Sequence, residues 1–345
     1  MKLELFVPIA FKYNEISDNE VVMAGDVGGT KANLMLCRFG KNGLEIIFEK
    51  RYVSKDHISF NDILEDFLKG QPAPKKICLS VAGPVIEGKV KFTNLSWLVD
   101  PLEISKQWNH APVALLNDLE ATAYGLAALK QDELHMLQKG SRVTPGNIAI
   151  LAPGTGLGEA GLFFDGRAYH PFATEGGHCD FAPRTAQDTA LLKMLQGRHE
   201  HVSWERLLSG VGIYTIWQFL TSVEKKSQPD WLLKEMEDND PSAMISKAAA
   251  EKKCATCTET MELFNRYLAI EATNLILKLK ATGGLFISGG IPPKILPLMN
   301  PDVWAETFEN SGRMRALLAQ VNVQVILNQK APLLGTAYYA GLNMD

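Results

Sequence analysis

The chain has 345 residues, with 35 Lys and Arg against 39 Asp and Glu, for a formal charge of −4. At about 150 residues per domain, that length makes roughly two domains, and 46% apolar with 21% charged residues is the composition of a globular protein. Basic residues occur as short pairs such as Lys75-Lys76 and Lys252-Lys253, which excludes a nucleic-acid surface, and apolar runs break well short of the ~20 residues of a membrane helix.

The apolar run Leu5 to Phe11 lacks a basic lead and a small-residue cleavage site, so no secretory leader is expected and the protein reads as cytoplasmic. Five cysteines (Cys37, Cys78, Cys179, Cys254, Cys257) form an odd, scattered set with no disulfide framework. Cys254-x-x-Cys257 has no second pair at metal spacing and precedes a helical pattern, which argues against zinc or redox work.

Residues 1–20 read as a polar, irregular extension. An apolar strand at Val21 to Ala24 runs into Gly25-Asp26-Val27-Gly28-Gly29-Thr30, and strands at Ala32 to Phe39 and Glu45 to Val53 follow. Two strands across a Gly-Gly turn predict a hairpin, with the glycines at positive φ. Ser59 to Lys69 predicts a helix, since Ser59 and Asp62 have capping-box spacing and Ile63, Leu64, Phe67 and Leu68 share a face. Strands are expected at Ile77 to Ala82 and Pro112 to Leu116, and a helix from Asp118 through Leu129.

The pattern then restarts, with a strand at Asn147 to Leu151, the turn Pro153-Gly154-Thr155-Gly156-Leu157-Gly158, and a returning strand at Ala160 to Phe164. Phe264, Leu268, Ala272, Leu275 and Leu279 stripe a later helix, which leads to a strand at Leu285 to Ser288 and to Gly289-Gly290. Leu333 to Leu342 reads as helical. Two similar sets of elements predict a diverged internal duplication of an α/β lobe. The boundaries expected are 1–20 for the extension, 21–128 plus about 330–345 for a small lobe, and 129–329 for a large one.

A glycine hairpin turn can aim several backbone N–H groups at one anion. Gly28 and Gly29 would admit a phosphate, with Thr30 as a further donor. Asp26 repels phosphate unless a cation stands between them, and Mg2+ held through water resolves that conflict. Gly154, Thr155 and Gly156 would cradle a second part of the same anion. The alternative for each turn alone is a β-turn that needs glycine for its backbone.

Gly25-Asp26-Val27-Gly28-Gly29-Thr30, Gly154-Thr155-Gly156-Leu157-Gly158 and Ser288-Gly289-Gly290 resemble the two phosphate motifs and the adenosine motif of the actin-like ATPase fold. With Thr93-Asn94-Leu95-Ser96-Trp97, Leu116-Asn117-Asp118, Glu175-Gly176-Gly177-His178 and Ser203-Trp204-Glu205-Arg206, they resemble the bacterial glucokinase family from about residue 21 onward. The resemblance implies a two-lobed α/β (ribonuclease H-like) fold with mixed sheets flanked by helices and its active site in the interlobe cleft. It implies phosphorylation of glucose at the 6-hydroxyl with ATP and Mg2+, commonly in a homodimer. It places Asn117, Asp118, Glu175, His178 and Glu205, joined by Asn94, as sugar ligands, a set of amides, carboxylates and imidazole suited to a ring of hydroxyls. Gly25 to Thr30, Gly154 to Gly156 and Gly289-Gly290 would hold the nucleotide, with Asp26 toward Mg2+.

Asn117-Asp118 also ends an apolar strand before a helix, where α/β proteins bind ligands; a helix N-cap is the other reading. Asp118 is the candidate base for the 6-hydroxyl. Consecutive strand residues face opposite ways, so His178-Cys179-Asp180 is not expected to bind a metal. Asn33 stands where the family often has Arg. Lys31 reads equally as a phosphate contact or a solvated residue. Glu159 is expected to add negative charge near the nucleotide. Another hexose or N-acetylhexosamine kinase of this fold, or a non-catalytic sugar sensor, are the alternatives.

Overall fold

Val21–Val27 (β1) is buried on both faces because it lies inside a sheet, with Lys31–Gly40 (β2) antiparallel on one side and Lys76–Val81 (β4) parallel on the other. This computed structural model describes residues 4–13, 15, 19–40, 43–83, 87–92, 95–141 and 144–344. They divide into two compact units: Met1–Gln131 with Arg167–Ala173 and Asn328–Asp345, and Asp132–Gly166 with Thr174–Leu327.

In the first unit, Gly43–Val53 (β3) and Val113–Asn117 (β7) complete the strand order β3-β2-β1-β4-β7. The helix Phe60–Leu68 (α1) begins in the expected capping box: Asp62 N donates to Ser59 Oγ at 3.2 Å, and Ser59 N to Asp62 Oδ2 at 2.9 Å. Its buried Phe60, Ile63, Leu64, Phe67 and Leu68 join Met23, Leu34, Leu36, Ile77 and Leu79 in one core. A two-residue ladder pairs Val90–Lys91 (β5) with Leu98–Val99 (β6) and is followed by Pro101–Gln107 (α2). Asp118–Gly125 (α3) follows β7 directly, and the C-terminal helix Ala331–Asn343 packs against α3, β1 and β4. Near the N-terminus the backbone is irregular, yet Val7 and Ile9 are buried. Ala10 N donates to Tyr169 O at 2.8 Å, and Tyr169 N to Pro8 O at 2.9 Å.

The second unit carries Leu134–Gln138 (β8), Ile148–Pro153 (β9) and Leu157–Phe164 (β10), while Tyr169–Thr174 (β11) belongs to the first unit up to Ala173. With Gly284–Ile287 (β12) and Val323–Ile326 (β13), the strands run β10-β9-β12-β13-β8. Antiparallel, parallel, parallel describes β10-β9-β12-β13 as it does β2-β1-β4-β7, the repetition expected from the paired glycine turns.

Helices Ala186–Gln196 (α4), Gly210–Ser222 (α5), Asp230–Asp238 (α6) and Pro241–Ala250 (α7) precede the 25-residue Ala255–Leu279 (α8), which runs through this core. Cys254 is the N-cap of α8, its Sγ accepting from Cys257 N at 3.4 Å. That gives the Cys-x-x-Cys spacing a helix-starting role, and burial pushes the Cys257 thiol well up.

Asp188 ties α4 to α8. Its carboxylate accepts Arg184 N and Thr185 N at 3.0 Å, Tyr267 Oη at 3.0 Å and an Arg266 guanidinium nitrogen at 2.6 Å. Burial works to raise this carboxyl, but these donors and the Arg266 charge hold it below the usual range. Asp188→Ala strands four donors, so the unfolding free energy in urea at pH 7 is expected to fall by about 2–4 kcal/mol. A loss under about 0.5 kcal/mol, the scale of an ordinary surface change, would contradict this role.

Candidate active site

Parallel strands β1, β4 and β7 end on one edge of the first sheet, with Asp26 opposite Ser80 and Val81 opposite Asn117. The turn after β1 is closed by Gly28 N to Lys31 O at 2.8 Å. It is anchored by the buried Ser54, whose N donates to Thr30 O at 3.0 Å and whose Oγ donates to Gly28 O at 2.8 Å. The expected positive φ is absent at both Gly28 and Gly29. A Cβ on Gly29 would meet nothing within 4 Å, and one on Gly28 only Lys31 O at 3.4 Å. Internal sterics therefore do not require these glycines.

Asp26 accepts hydrogen bonds on both carboxylate oxygens, from Asn33 Nδ2 and from Ser80 Oγ, each at 3.2 Å. Burial pushes its carboxyl up, and the two donors oppose that. Asn33, the departure from the family pattern, thus has a local role. Lys31 is exposed at the start of β2.

Asn117 is the N-cap of α3. Its Oδ1 accepts from Leu119 N at 2.9 Å and Glu120 N at 3.4 Å, which leaves the cap to the oxygen and the side-chain amide nitrogen for other use. Asp118 opens the helix and accepts Leu119 N on Oδ1 at 2.9 Å. Glu120, not singled out from sequence, has its carboxyl raised by burial. Asn94 lies outside the described residues.

In the second unit the turn between β9 and β10 is closed by Gly154 N to Gly156 O at 2.8 Å, and Gly210 N donates to Gly154 O at 2.9 Å. Gly289 follows β12 on the same edge, and Ile291 N reaches Pro153 O at 3.3 Å, so Gly154–Gly156 and Gly289-Gly290 are neighbours. Glu205 reaches this turn, where its Oε2 accepts Leu157 N at 3.0 Å. A Cβ on Gly156 would collide with that oxygen and come within 3.2 Å of Glu205 Cδ, so a close approach is what demands glycine there.

The Glu175–His178 segment turns tightly: His178 N donates to Glu175 O at 3.1 Å and Cys179 N to Gly176 O at 2.9 Å. Its continuation pairs with the Glu205 segment through Trp204 N to Cys179 O at 3.0 Å and Phe181 N to Val202 O at 2.9 Å. Edge-on packing of Phe181 on Trp204, with ring centroids 5.0 Å apart, sets it on the core. Glu175, His178, Glu205 and the second glycine turn therefore share one scaffold. Asp180 and His201 are exposed and paired at 2.8 Å. Among the described residues no three His, Cys, Asp or Glu side chains could hold a metal together, and no helix is long and apolar enough to cross a membrane.

Glu159 departs from expectation. It is 1% exposed, and burial, then the nearby Glu271 charge, raises its carboxyl to about 8. At neutral pH it keeps its proton, so it adds no negative charge beside a nucleotide.

Two α/β units that share a four-strand order, each with a glycine turn in its antiparallel hairpin, are the architecture of the actin-like ATPase fold, to which the sugar kinases belong. A glucokinase family model matches residues 23–343. The glucokinase of Nostoc punctiforme is 38% identical over 336 residues, covering 93% of this chain and 98% of that one. The crystal structure of a glucokinase from an Antarctic psychrotroph superimposes with a TM-score of 0.80 at 30% identity, covering 93% of this chain and 98% of that one. A ROK family glucokinase from Streptomyces griseus in complex with glucose and AMPPNP shares the fold at a TM-score of 0.62 and 19% identity, covering 93% and 99%. The chain belongs to the glucokinase family.

The Glu159 proton sets a pH dependence. Between about pH 4.5, where an unfolded Glu loses its proton, and about pH 8, the native state binds one proton more than the unfolded state. Unfolding free energy should therefore fall as pH rises through that window. Urea denaturation at pH 5, 6, 7 and 8 should show this slope, and Glu159→Gln should flatten it. An equal slope in both proteins would contradict the assignment.

Proposed function

We infer that the protein transfers the γ-phosphoryl group of ATP to the 6-hydroxyl of glucose, giving glucose 6-phosphate. The observation that carries this reading, beside family membership, is one edge of the first unit's sheet. It sets Asp118 just past the end of β7, with Asp26 and the Gly28–Thr30 turn at the end of the parallel strand β1 two places along. A base for the hydroxyl and a cradle for phosphate oxygens are the two groups that phosphoryl transfer requires of a protein. Bare glycines without an internal steric reason support a ligand whose phosphates approach the backbone closely.

In this reading Gly25 to Thr30, Gly154 to Gly156 and Gly289-Gly290 bind the nucleotide. Glu175, His178, Glu205, Asn117 and Asp118, with Asn94, bind the sugar hydroxyls. Asn117 does so through its side-chain amide nitrogen, because its oxygen caps α3. Asp118 accepts the 6-hydroxyl proton as the oxygen attacks phosphorus. Asp26 fits a water-bridged Mg2+. Its partly buried carboxylate has one donor on each oxygen and so keeps acceptor capacity on both, beside the glycine turn. Mg2+ would neutralise charge on the phosphates. The proposed working form is a cytoplasmic homodimer, which light scattering of the purified protein tests.

ATP-dependent transfer to glucose, mannose, fructose, galactose, N-acetylglucosamine and no sugar tests the function. Product from glucose supports it, transfer to another sugar moves the substrate, and ATP loss without sugar points to a hydrolase. Asp118→Asn keeps the shape and removes the base, so kcat should drop by about 10²–10⁴-fold with a small change in glucose KM. Near-normal kcat would remove Asp118 from the role of base.

A further inference from the structure

Beneath the Glu175–His178 turn lies a pair of acidic side chains that no step above uses. Glu159 on β10 and Glu271 on α8 are both fully enclosed and hydrogen-bonded to one another. Two buried carboxyls in contact can hold this geometry only by sharing a proton. The partners of Glu271 say which one carries it. Its oxygens accept from Asn274 Nδ2 at 2.8 Å and Lys278 Nζ at 3.5 Å, so Glu271 is the anion and Glu159 the donor. Glu159 Oε1 is buried with no hydrogen-bond donor among the described residues, a cost tolerable for a neutral acid and severe for a carboxylate.

This acid sits directly against the sugar turn. A Cβ on Gly176 would collide with Glu159 Oε2, and would lie 2.7 Å from its Cδ and 3.3 Å from its Cβ. The backbone is tied in as well: Thr174 Oγ1 donates to Glu159 O at 3.0 Å and accepts Gly176 N at 3.2 Å. Glu159 therefore carries the start of the Gly176–His178 turn on its side chain and, through Thr174, on its backbone.

We propose that Glu159, hydrogen-bonded to Glu271, is a positioning residue for glucose, holding Gly176 so that Glu175 and His178 present their side chains to the sugar. Losing its proton to solvent puts two negative charges together in a dry site. Repulsion then drives the Glu159 carboxylate away from Glu271 and into Gly176, and the turn shifts. The charged groups around the pair are Lys278 and Glu271 itself on α8, and Arg184 with its neighbour Asp188 at the start of α4. Lys278 favours the charged form of both carboxyls and Arg184 that of Glu271, but at Glu159 burial and then the Glu271 charge outweigh Lys278.

The inference rests on Glu175 and His178 being sugar ligands, and calorimetric titration of glucose into the full-length protein from pH 6 to 9.5 separates the two ideas. If only the protonated form binds, the wild-type Kd rises about tenfold by pH 9, one unit above the Glu159 value. Glu159→Gln, whose amide still donates to Glu271, should match wild type at pH 7 and stay flat to pH 9. Glu271→Gln removes the adjacent charge and should move the wild-type midpoint to lower pH, which decides the matter if the first variant does not fold. A wild-type Kd independent of pH, an unchanged rise in Glu159→Gln, or an unmoved midpoint in Glu271→Gln would each overturn the proposal. Glu175→Gln serves as the reference for the site: wild-type affinity in that variant would overturn the sugar reading itself.

Discussion

The hydrogen bond from Leu157 N to Glu205 Oε2 at 3.0 Å ties the Glu205 segment to the glycine turn of the second unit. The donor is a backbone group at the close of the phosphate-side glycine turn. The acceptor is a carboxylate from the sugar-side segment, delivered by the pairing of that segment with Cys179–Phe181. A bond from a backbone N–H to a carboxylate oxygen is geometrically demanding. It is possible only because residue 156 has no side chain to occupy the space. In the proposed function, this puts a nucleotide-binding turn and a sugar-binding carboxylate on one piece of backbone.

The same economy runs through both sheets. A strand that turns back antiparallel across glycines and then pairs in parallel with later strands puts that turn and the carboxyl ends of the parallel strands on one edge. In the first unit that edge carries Asp26, the Gly28–Thr30 turn and Asn117-Asp118. In the second it carries Gly154–Gly156 and Gly289-Gly290. Stability is supplied elsewhere, by the α1 face packed on its sheet and by α8 within its core. Edge residues are thus selected by what they meet rather than by what they support. The glycines divide on this line: Gly29 touches nothing, whereas Gly156 and Gly176 are held empty by Glu205 and Glu159.

Elements with a local signature were legible in the sequence. The β1–β2 and β9–β10 hairpins announce themselves by glycine turns between apolar strands, α1 by its capping box, and the later part of α8 by the stripe from Phe264 to Leu279. The helices α4 to α7 were not read. α5, Gly-Val-Gly-Ile-Tyr-Thr-Ile-Trp-Gln-Phe-Leu-Thr-Ser, is buried around much of its circumference and shows no polar face, α6 and α7 lack the capping box that marks α1, and α4 has one at Thr185 and Asp188 but buries few apolar residues. β8 escaped because a five-residue strand in a polar stretch has little alternation to show. Residue types in the site were legible through motif resemblance, but their environments were not. Nothing near Glu159 in the chain reveals that Glu271, more than a hundred residues later, removes its charge, and the backbone of Gly28 and Gly29 could not be told from composition alone.

The account stands most directly on the claim that the sugar-side carboxylate and the glycine turn form one unit. Gly156→Ala tests it, because the new methyl meets only the flexible end of Glu205 and should displace that carboxylate from Leu157 N with little loss of fold. Steady-state kinetics with glucose and ATP varied separately should show the glucose KM raised about tenfold or more, the cost of losing a charge-assisted hydrogen bond, with the melting temperature nearly unchanged. A wild-type glucose KM in a folded Gly156→Ala protein would contradict it.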